Sequence, residues 1–404
     1  MTAIRVHLGA THGAVAVGTA RIVRLRGAET TEFIYDDGFL ADRGWAISPD
    51  LPLTSDRTVL EGLPGALLDS APDTWGRNLV TRREAARARD GGHDTPTLTE
   101  ADYLLGVGDL SRQGALRFCR VDDGPYLAES TEVPRLLELE RLLDAATRVA
   151  GDRDAQDAVN ALLDAGSASL GGARPKASVA DGPTLHIAKF PHPQDNWDVM
   201  RWEATTLDLA EACGLRTPQR RLIEVGGEAV LLVERFDRAD GHRVPYLSGQ
   251  SLIGAKTGAH CDYRELLEGL TAHGSDVTAD LAELWQRIAF SVAINNTDDH
   301  MRNHGFLHTR GGWTLSPVFD INPNPNPSAE RVTSVGGATA PNACLEALFQ
   351  MASAFDINEA DARQLWRDLV AVISRWREFA ATRGIRPPEQ DEFAGVLDRW
   401  SSTF

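Results

Sequence analysis

Two neighbouring carboxylates, a histidine and an amide stand in one short run, Thr297-Asp-Asp-His-Met-Arg-Asn303, and a further carboxylate follows at Asp320. On a loop, such a set can accept a hydroxyl proton and hold Mg²⁺ against phosphate oxygens. Asp298 suits the base role better than Asp299, because Asp298 has the right interval to Asn303. Upstream, the stretch from Gly166 to Lys176 (GSASLGGARPK) is rich in glycine and leads through a strand and a turn to a strand ending in Lys189. Glycines let backbone N–H groups approach an anion, and a strand-borne lysine reaches phosphate as a point charge. A plain hairpin would explain the same stretch. The Walker A pattern fails, since Gly172 stands where its lysine belongs. Pro175 has no N–H, so one backbone donor to phosphate is missing. Glu203 either positions Lys189 from the next helix or lies on a solvated surface. The end of the strand before Glu234-Arg-Phe-Asp-Arg238 offers a backbone edge to a purine.

Two competing readings of the acidic run stay in view. One is a polar turn with solvated acids. The other is a metal pair, His300 and His304 sharing a helix face, but no glutamate stands between them in the zinc-hydrolase pattern and no third ligand is evident.

These groups need elements to carry them. Ile4–Leu8, Ala20–Leu25 and Glu32–Tyr35 alternate or are β-branched and read as strands. Asp69 to Arg77 (DSAPDTWGR) turns at Pro72 into a polar helix reaching about Ala88, and 89–97 is loop by composition. Leu110 to Phe118 returns to turn and strand. From Val133-Pro134, the residues Leu136, Leu139, Leu142, Leu143, Ala146 and Val149 repeat at helical spacing, and a second helix covers 154–164. A helix over 203–213 stops at Gly214, with Pro218 beyond. Ala229–Val233 is a buried strand. Leu281, Leu284, Trp285, Ile288, Ala289 and Val292 form one apolar stripe that delivers the chain to Asn295. Gly305–His308 and Trp313–Leu315 form a hairpin, the proline-rich run from Asn322 is loop through Ala340, Asn358 caps a helix, and a last helix follows Pro388. The layout is α+β, sheet-rich in its first half and helical in its second, divided into 1–130, 131–238 and 239–404.

The bulk numbers bound the function. With 404 residues, 42% of them hydrophobic, the chain can bury a sizeable core. A net charge of −17 argues against a bare nucleic-acid binder. The four cysteines are scattered and read as reduced core thiols. With no charged-then-apolar leader and no apolar run near ~18 residues, a soluble cytoplasmic protein without a membrane span is expected.

In the expected order, Ser169-Leu-Gly-Gly-Ala-Arg-Pro-Lys176, Ile187-Ala-Lys189, Val233-Glu-Arg-Phe-Asp-Arg238, Thr297 to Asn303 and Leu315-Ser-Pro-Val-Phe-Asp-Ile321 resemble the HipA family, serine/threonine kinases that act as toxins of bacterial toxin–antitoxin pairs. The segments Asp69–Arg77 and Gly114–Phe118 resemble the family's N-terminal region more loosely. The resemblance implies a two-lobed, protein-kinase-like fold and an ATP- and Mg²⁺-dependent enzyme. Asp298 would be the catalytic base, and Asn303 and Asp320 the Mg²⁺ ligands. Gly171, Gly172, Ala173, Arg174 and Lys176 would form the phosphate loop, with Lys189 on the ATP phosphates. Glu234 to Phe236 would read adenine, and His300 and Phe319 would line the nucleotide site. Ser169 would be the autophosphorylated serine that silences the enzyme. Arg174-Pro175 departs from the family's Gln-Glu. The implied substrate is a host protein, an aminoacyl-tRNA synthetase or another translation component. The implied partner is a small helix-turn-helix antitoxin through which DNA is bound indirectly. A small-molecule kinase and a catalytically silent co-repressor are the alternatives.

Overall fold

The computed structural model describes residues 2–401 apart from 11–12, 26, 43, 121–125, 127–132, 152–154 and 168–173. The chain forms two compact units, one made of 1–194 with 223–247 and the other of 195–222 with 248–404.

The first unit opens on a sheet whose alternation is visible in the sequence. Strands β1 (Thr2–Ala10), β2 (Gly13–Leu25), β3 (Ala28–Tyr35), β4 (Thr58–Glu61) and β5 (Leu116–Arg120) are ordered β4-β3-β2-β1-β5, all antiparallel. Ile4, Val6 and Leu8 face inward on β1, as do Phe33 and Tyr35 on β3, the period-2 pattern of a sheet with one buried face. A second sheet contains β6 (Lys176–Asp181), β7 (Thr184–Lys189), β8 (Arg220–Val225) and β9 (Glu228–Glu234) in the order β6-β7-β9-β8. Its apolar side, Ala177, Val179, Ala188, Phe190, Val230 and Leu232, shares one core with three helices, Thr74–Asp90, Leu139–Ala150 and Gln156–Asp164. This core joins residues on both sides of position 130, where the helical connector suggests a boundary.

Helix Thr74–Asp90 shows almost no apolar stripe, yet it starts sharply. Asp73 is its N-cap, accepting from the Gly76 N–H at 2.8 Å, which satisfies one of the donors a helix start leaves open. Several short helices escape the periodicity reading, Glu100–Leu105 and Pro341–Gln350 among them. Glu100–Leu105 is short and is held by a capping box between Thr99 and Asp102. Pro341–Gln350 begins with proline in its first turn, where a missing N–H costs nothing.

The second unit is helical. Val199–Ala212 begins four residues before the expected Glu203, because the Asp198 carboxylate caps it through the Arg201 N–H. Glu203 is consequently 2% exposed, so the solvated-surface reading of this residue is corrected. Helix Val277–Ala293 packs against Tyr263–His273, Pro341–Gln350 and Glu359–Ile373. Trp202 stacks on Phe393 at 3.9 Å between ring centres and donates its indole N–H to Glu389 at 2.9 Å, the pairing of apolar body and polar tip that buried tryptophan requires. No helix among the described residues is long and apolar enough to cross a membrane.

Candidate active site

In the second unit, helix Val277–Ala293 hands the chain to the acidic run through a left-handed residue, Asn295, at φ +57°. Asparagine tolerates this conformation where a β-branched residue would not. The Asn295 amide then donates to the carbonyls of Asn324 (2.7 Å) and Asn326 (3.0 Å), while the Asn324 N–H returns a bond to the Asn295 carbonyl at 3.0 Å. Thr297 accepts the Val332 N–H at 2.9 Å on its carbonyl, and the Asn324 amide at 2.8 Å on its hydroxyl. The proline-rich stretch is thus a loop, as its composition requires, and it is stitched to the acidic run.

The two adjacent aspartates part company here. Asp298 is exposed, whereas Asp299 is 4% exposed. Asp299 accepts hydrogen bonds from the hydroxyls of Tyr263 and Ser291, the latter at 2.6 Å, and from Arg331 at 3.4 Å. His304 Nε2 lies 3.1 Å from its other oxygen. Burial works to raise the Asp299 pKa, but His304, Arg331 and the Ser291 hydroxyl outweigh it and hold the carboxyl below the usual carboxylate range. A carboxylate so committed is a structural anion, and Asp298 is the acid that remains at the surface.

Beyond them Met301–Asn303 forms a single 3₁₀ turn rather than the helix that a shared His300/His304 face would need. His304 goes to Asp299 and stands edge-on to Tyr263, with 5.5 Å between ring centres. Among the described residues no three His, Cys, Asp or Glu side chains gather as a zinc site would require. The metal-pair reading therefore fails on geometry. Asn303 donates its amide N–H to the Asp298 carbonyl at 3.2 Å, so its amide oxygen is the atom left for a cation. Gly249 packs beneath this turn and donates its N–H to the His304 carbonyl at 2.6 Å. A Cβ there would stand 2.9 Å from the Met301 carbonyl oxygen, so only glycine fits.

Asp320 also sits in the left-handed region, at φ +56°. A non-glycine residue there costs about 1–2 kcal/mol, and the neighbours hold it in place. The Val318 N–H donates to the Arg216 carbonyl at 2.8 Å, and the Thr206 hydroxyl to the Ile321 carbonyl at 2.5 Å. Phe319 and Asp320 are both partly exposed. A carboxylate and an amide oxygen are hard oxygen donors of the kind Mg²⁺ takes.

In the first unit Lys189 ends β7 directly opposite Lys176 on β6, which sets the two side chains on one face. They differ in exposure. Lys189 is partly exposed, while Lys176 is 3% exposed and reaches the second oxygen of Asp73 at 3.3 Å. Its ammonium is directed inward, at the end of the glycine-rich stretch. The other end is anchored at Ser167, which donates to the Lys176 carbonyl and accepts the Trp75 indole N–H at 2.9 Å. Pro175 accepts the Phe190 N–H at 3.0 Å. Of the intervening candidates, Arg174 is partly exposed, and Ser169, Gly171, Gly172 and Ala173 lie outside the described residues.

The segment after β9 divides its side chains by parity. Glu234 and Phe236 are partly exposed, whereas Arg235 and Asp237 are each 3% exposed. Asp237 accepts from Arg235 (2.9 and 2.6 Å), from Arg238 (2.9 Å) and from the Gly114 N–H (2.7 Å). Arg235 and Arg238 also donate to the backbone carbonyls of Ser111 and Arg112. Half of this motif is therefore a clamp on the 111–114 turn, and only the alternate residues remain for a ligand. Arg331 carries no signal of its own in the sequence, because its partners Tyr263, Ser291 and Asp299 stand tens of residues away. Asp73, Trp75 and Asp237 fall in motifs the sequence shows, but only the fold reveals that they pair with Lys176, Ser167 and Gly114.

Comparison with known proteins agrees with this architecture. Residues 168–376 match the family model of the HipA-like C-terminal domain, and residues 14–109 that of the HipA N-terminal domain. Among curated proteins, a "Putative kinase" of Haemophilus influenzae is 23% identical over 148 residues, 32% of this chain and 43% of that protein. The "Putative kinase Y4mE" of Sinorhizobium fredii is 29% identical over 151 residues, 33% of each. The chain thus matches less than half the length of either. Among solved structures, HipA of Shewanella oneidensis MR-1, determined in a toxin–antitoxin complex with HipB and operator DNA, superposes with a TM-score of 0.69 at 17% identity, covering 98% of this chain and 95% of that one. The fold is accordingly α+β and HipA-like, and the chain belongs to the HipA family.

Proposed function

We propose that this chain is an ATP- and Mg²⁺-dependent serine/threonine protein kinase. The observation that carries the reading is the division of labour on one loop: Asp299 is buried as an anion, Asp298 is left at the surface, and Asn303 is turned by its bond to the Asp298 carbonyl. In the reaction, Asp298 takes the proton of the acceptor hydroxyl as its oxygen forms a bond to the γ-phosphorus, and the bond to the bridging oxygen breaks to release ADP. Asn303 and Asp320 would hold Mg²⁺, which would neutralise charge on the phosphate oxygens. Lys189 contacts the phosphates as a point charge, and Gly171 to Arg174 are the candidate phosphate-loop residues. Glu234 to Phe236 read the adenine, and His300 and Phe319 line the nucleotide. Lys176 takes a positioning role at the foot of that loop.

Phosphate on Ser169 would add about −1.5 to −2 charge in the stretch that receives ATP, opposing nucleotide binding. The family supports a cytoplasmic toxin acting on a protein of the translation machinery. It also supports control by a small helix-turn-helix antitoxin, with DNA contacted through that partner. The direct test is γ-labelled ATP with the purified protein and with a cell lysate. Label on Ser169 or on a lysate protein, lost in Asp298→Ala and Asp320→Ala, is expected. No protein labelling, or an Asp298→Ala variant as active as wild type, refutes the reading, and label on small metabolites instead redirects it to a small-molecule kinase.

A further inference from the structure

Arg331 stands in the loop after Asp320, and its guanidinium is inserted into the base of the acidic run. Its side chain is 2% exposed. One terminal nitrogen donates to the carbonyls of Asn296 (2.8 Å) and Ser291 (3.2 Å). The other donates to the Ser291 hydroxyl (2.9 Å), the Tyr263 hydroxyl (3.0 Å) and the Asp299 carboxylate (3.4 Å). A single cation thus caps the C-terminal end of helix Val277–Ala293, where positive charge is favoured, and fastens the Asn296 carbonyl before Asp298 and the Asp299 carboxylate after it. The same loop is joined to the acidic run by the Asn295–Asn324 pair and by the Val332–Thr297 bond. Planar, forked donors suit this task, because one guanidinium can engage carbonyl, hydroxyl and carboxylate at once.

We propose that Arg331 is a positioning residue of the phosphoryl-transfer reaction, locking the loop that follows Asp320 onto the acidic run so that Asp298 and Asn303 are held in place by a cation built into the chain. Many enzymes order the equivalent region by adding a phosphate that recruits arginine. Here the anion is already present as Asp299, so the loop assembles with no modification. The proposal rests on the kinase reading for the roles of Asp298 and Asn303, whereas the lock itself can be measured without turnover.

The test uses the full chain as wild type, Arg331→Gln, Arg331→Lys and the double variant Asp299→Asn/Arg331→Gln. Backbone hydrogen exchange over 295–303 and 324–332 reports the lock, and labelled-ATP kinetics per folded molecule report its effect. In Arg331→Gln, exchange in both segments should rise while the helical core keeps its protection. The kcat should fall about 100-fold, the scale of a small displacement of reacting groups, with KM for ATP within about threefold of wild type, since uniform nucleotide binding is untouched. Arg331→Lys should recover part of kcat, and the double variant none of it. Phosphatase-treated wild type should retain full activity.

Unchanged exchange in Arg331→Gln overturns the lock. So does a kcat that follows the folded fraction alone, or one restored in the double variant, which would reduce the effect to an unpaired charge. Activity lost on phosphatase treatment overturns the claim that no modification is needed. If wild type transfers no phosphate to any acceptor, the kinase reading fails, and the exchange data alone then decide the lock.

Discussion

Neutralising Asp298 and neutralising Asp299 should have opposite consequences, although the residues are neighbours. Asp299→Asn removes an anion that faces Arg331 at 3.4 Å and His304 at 3.1 Å and accepts from two hydroxyls, all within a buried cluster. Breaking a buried pair by neutralising one partner leaves the other charge uncompensated and costs about 3–5 kcal/mol. For a unit of this size each kcal/mol shifts the melting temperature by about 2–4 °C, so a fall of roughly 6–20 °C is expected. Asp298→Asn alters an exposed side chain and should stay within about 0.5 kcal/mol of wild type, while losing a general base worth about 10²–10⁴ in rate.

The assay pairs near-UV circular dichroism melts with label transfer at saturating ATP, measured well below both melting temperatures. Because the Asp299 pKa is lower folded than unfolded, its contribution is present above the unfolded value and is lost as the pH falls through the folded one. The acid limb of the stability curve should therefore flatten in Asp299→Asn and not in Asp298→Asn. An Asp299→Asn protein that melts like wild type would refute the assignment of that carboxylate to the structure. An Asp298→Asn protein with full activity would refute its assignment to the chemistry.

Two further outcomes follow from other buried charges. Asp237→Ala strands the guanidinia of Arg235 and Arg238, whose shared carboxylate it removes. A loss of about 3–5 kcal/mol is expected, read as a lower urea midpoint at unchanged slope, and a midpoint shift equivalent to under about 1 kcal/mol would contradict the clamp. Burial pushes His308 from 6.5 down to about 4, so the unfolded chain binds its proton more readily. The stabilisation is whole above the unfolded value and drains away as the pH falls from there towards the folded one, by about 1–2 kcal/mol after allowing for solvent at this partly open site. An imidazole titration followed by NMR should show the low value, and His308→Gln should remove that part of the slope. A normal titration near the ordinary value would refute the burial argument.

Sequence alone determined what is local. Alternation set the inward faces of β1 and β3, and the apolar stripe from Leu281 to Val292 fixed the helix that delivers the acidic run. The prolines after Asn322 forced a loop, and the order of lysine, strand end, aspartate and asparagine pointed to the HipA family. Spacing also separated Asp298 from Asn303 by the interval that phosphoryl transfer uses. These signals are legible because each depends on a few consecutive residues and on the period of the backbone.

Tertiary structure decided which polar groups were left for chemistry. Asp299 and His304 have the same composition as catalytic residues, but Arg331, Tyr263 and Ser291 consume the aspartate, and the 3₁₀ turn at Met301 takes His304 off any shared helix face. Lys176 stands at the end of the glycine-rich stretch, and Asp73, a helix cap about a hundred residues upstream, claims its ammonium. Glu203 stays open between a positioning role and a solvated surface until the fold buries it. For Asp299 and Lys176 the deciding partners, Arg331 and Asp73, are distant in sequence and the deciding quantity is desolvation. A buried charge must find its counter-charge, and only the folded chain shows which one it found.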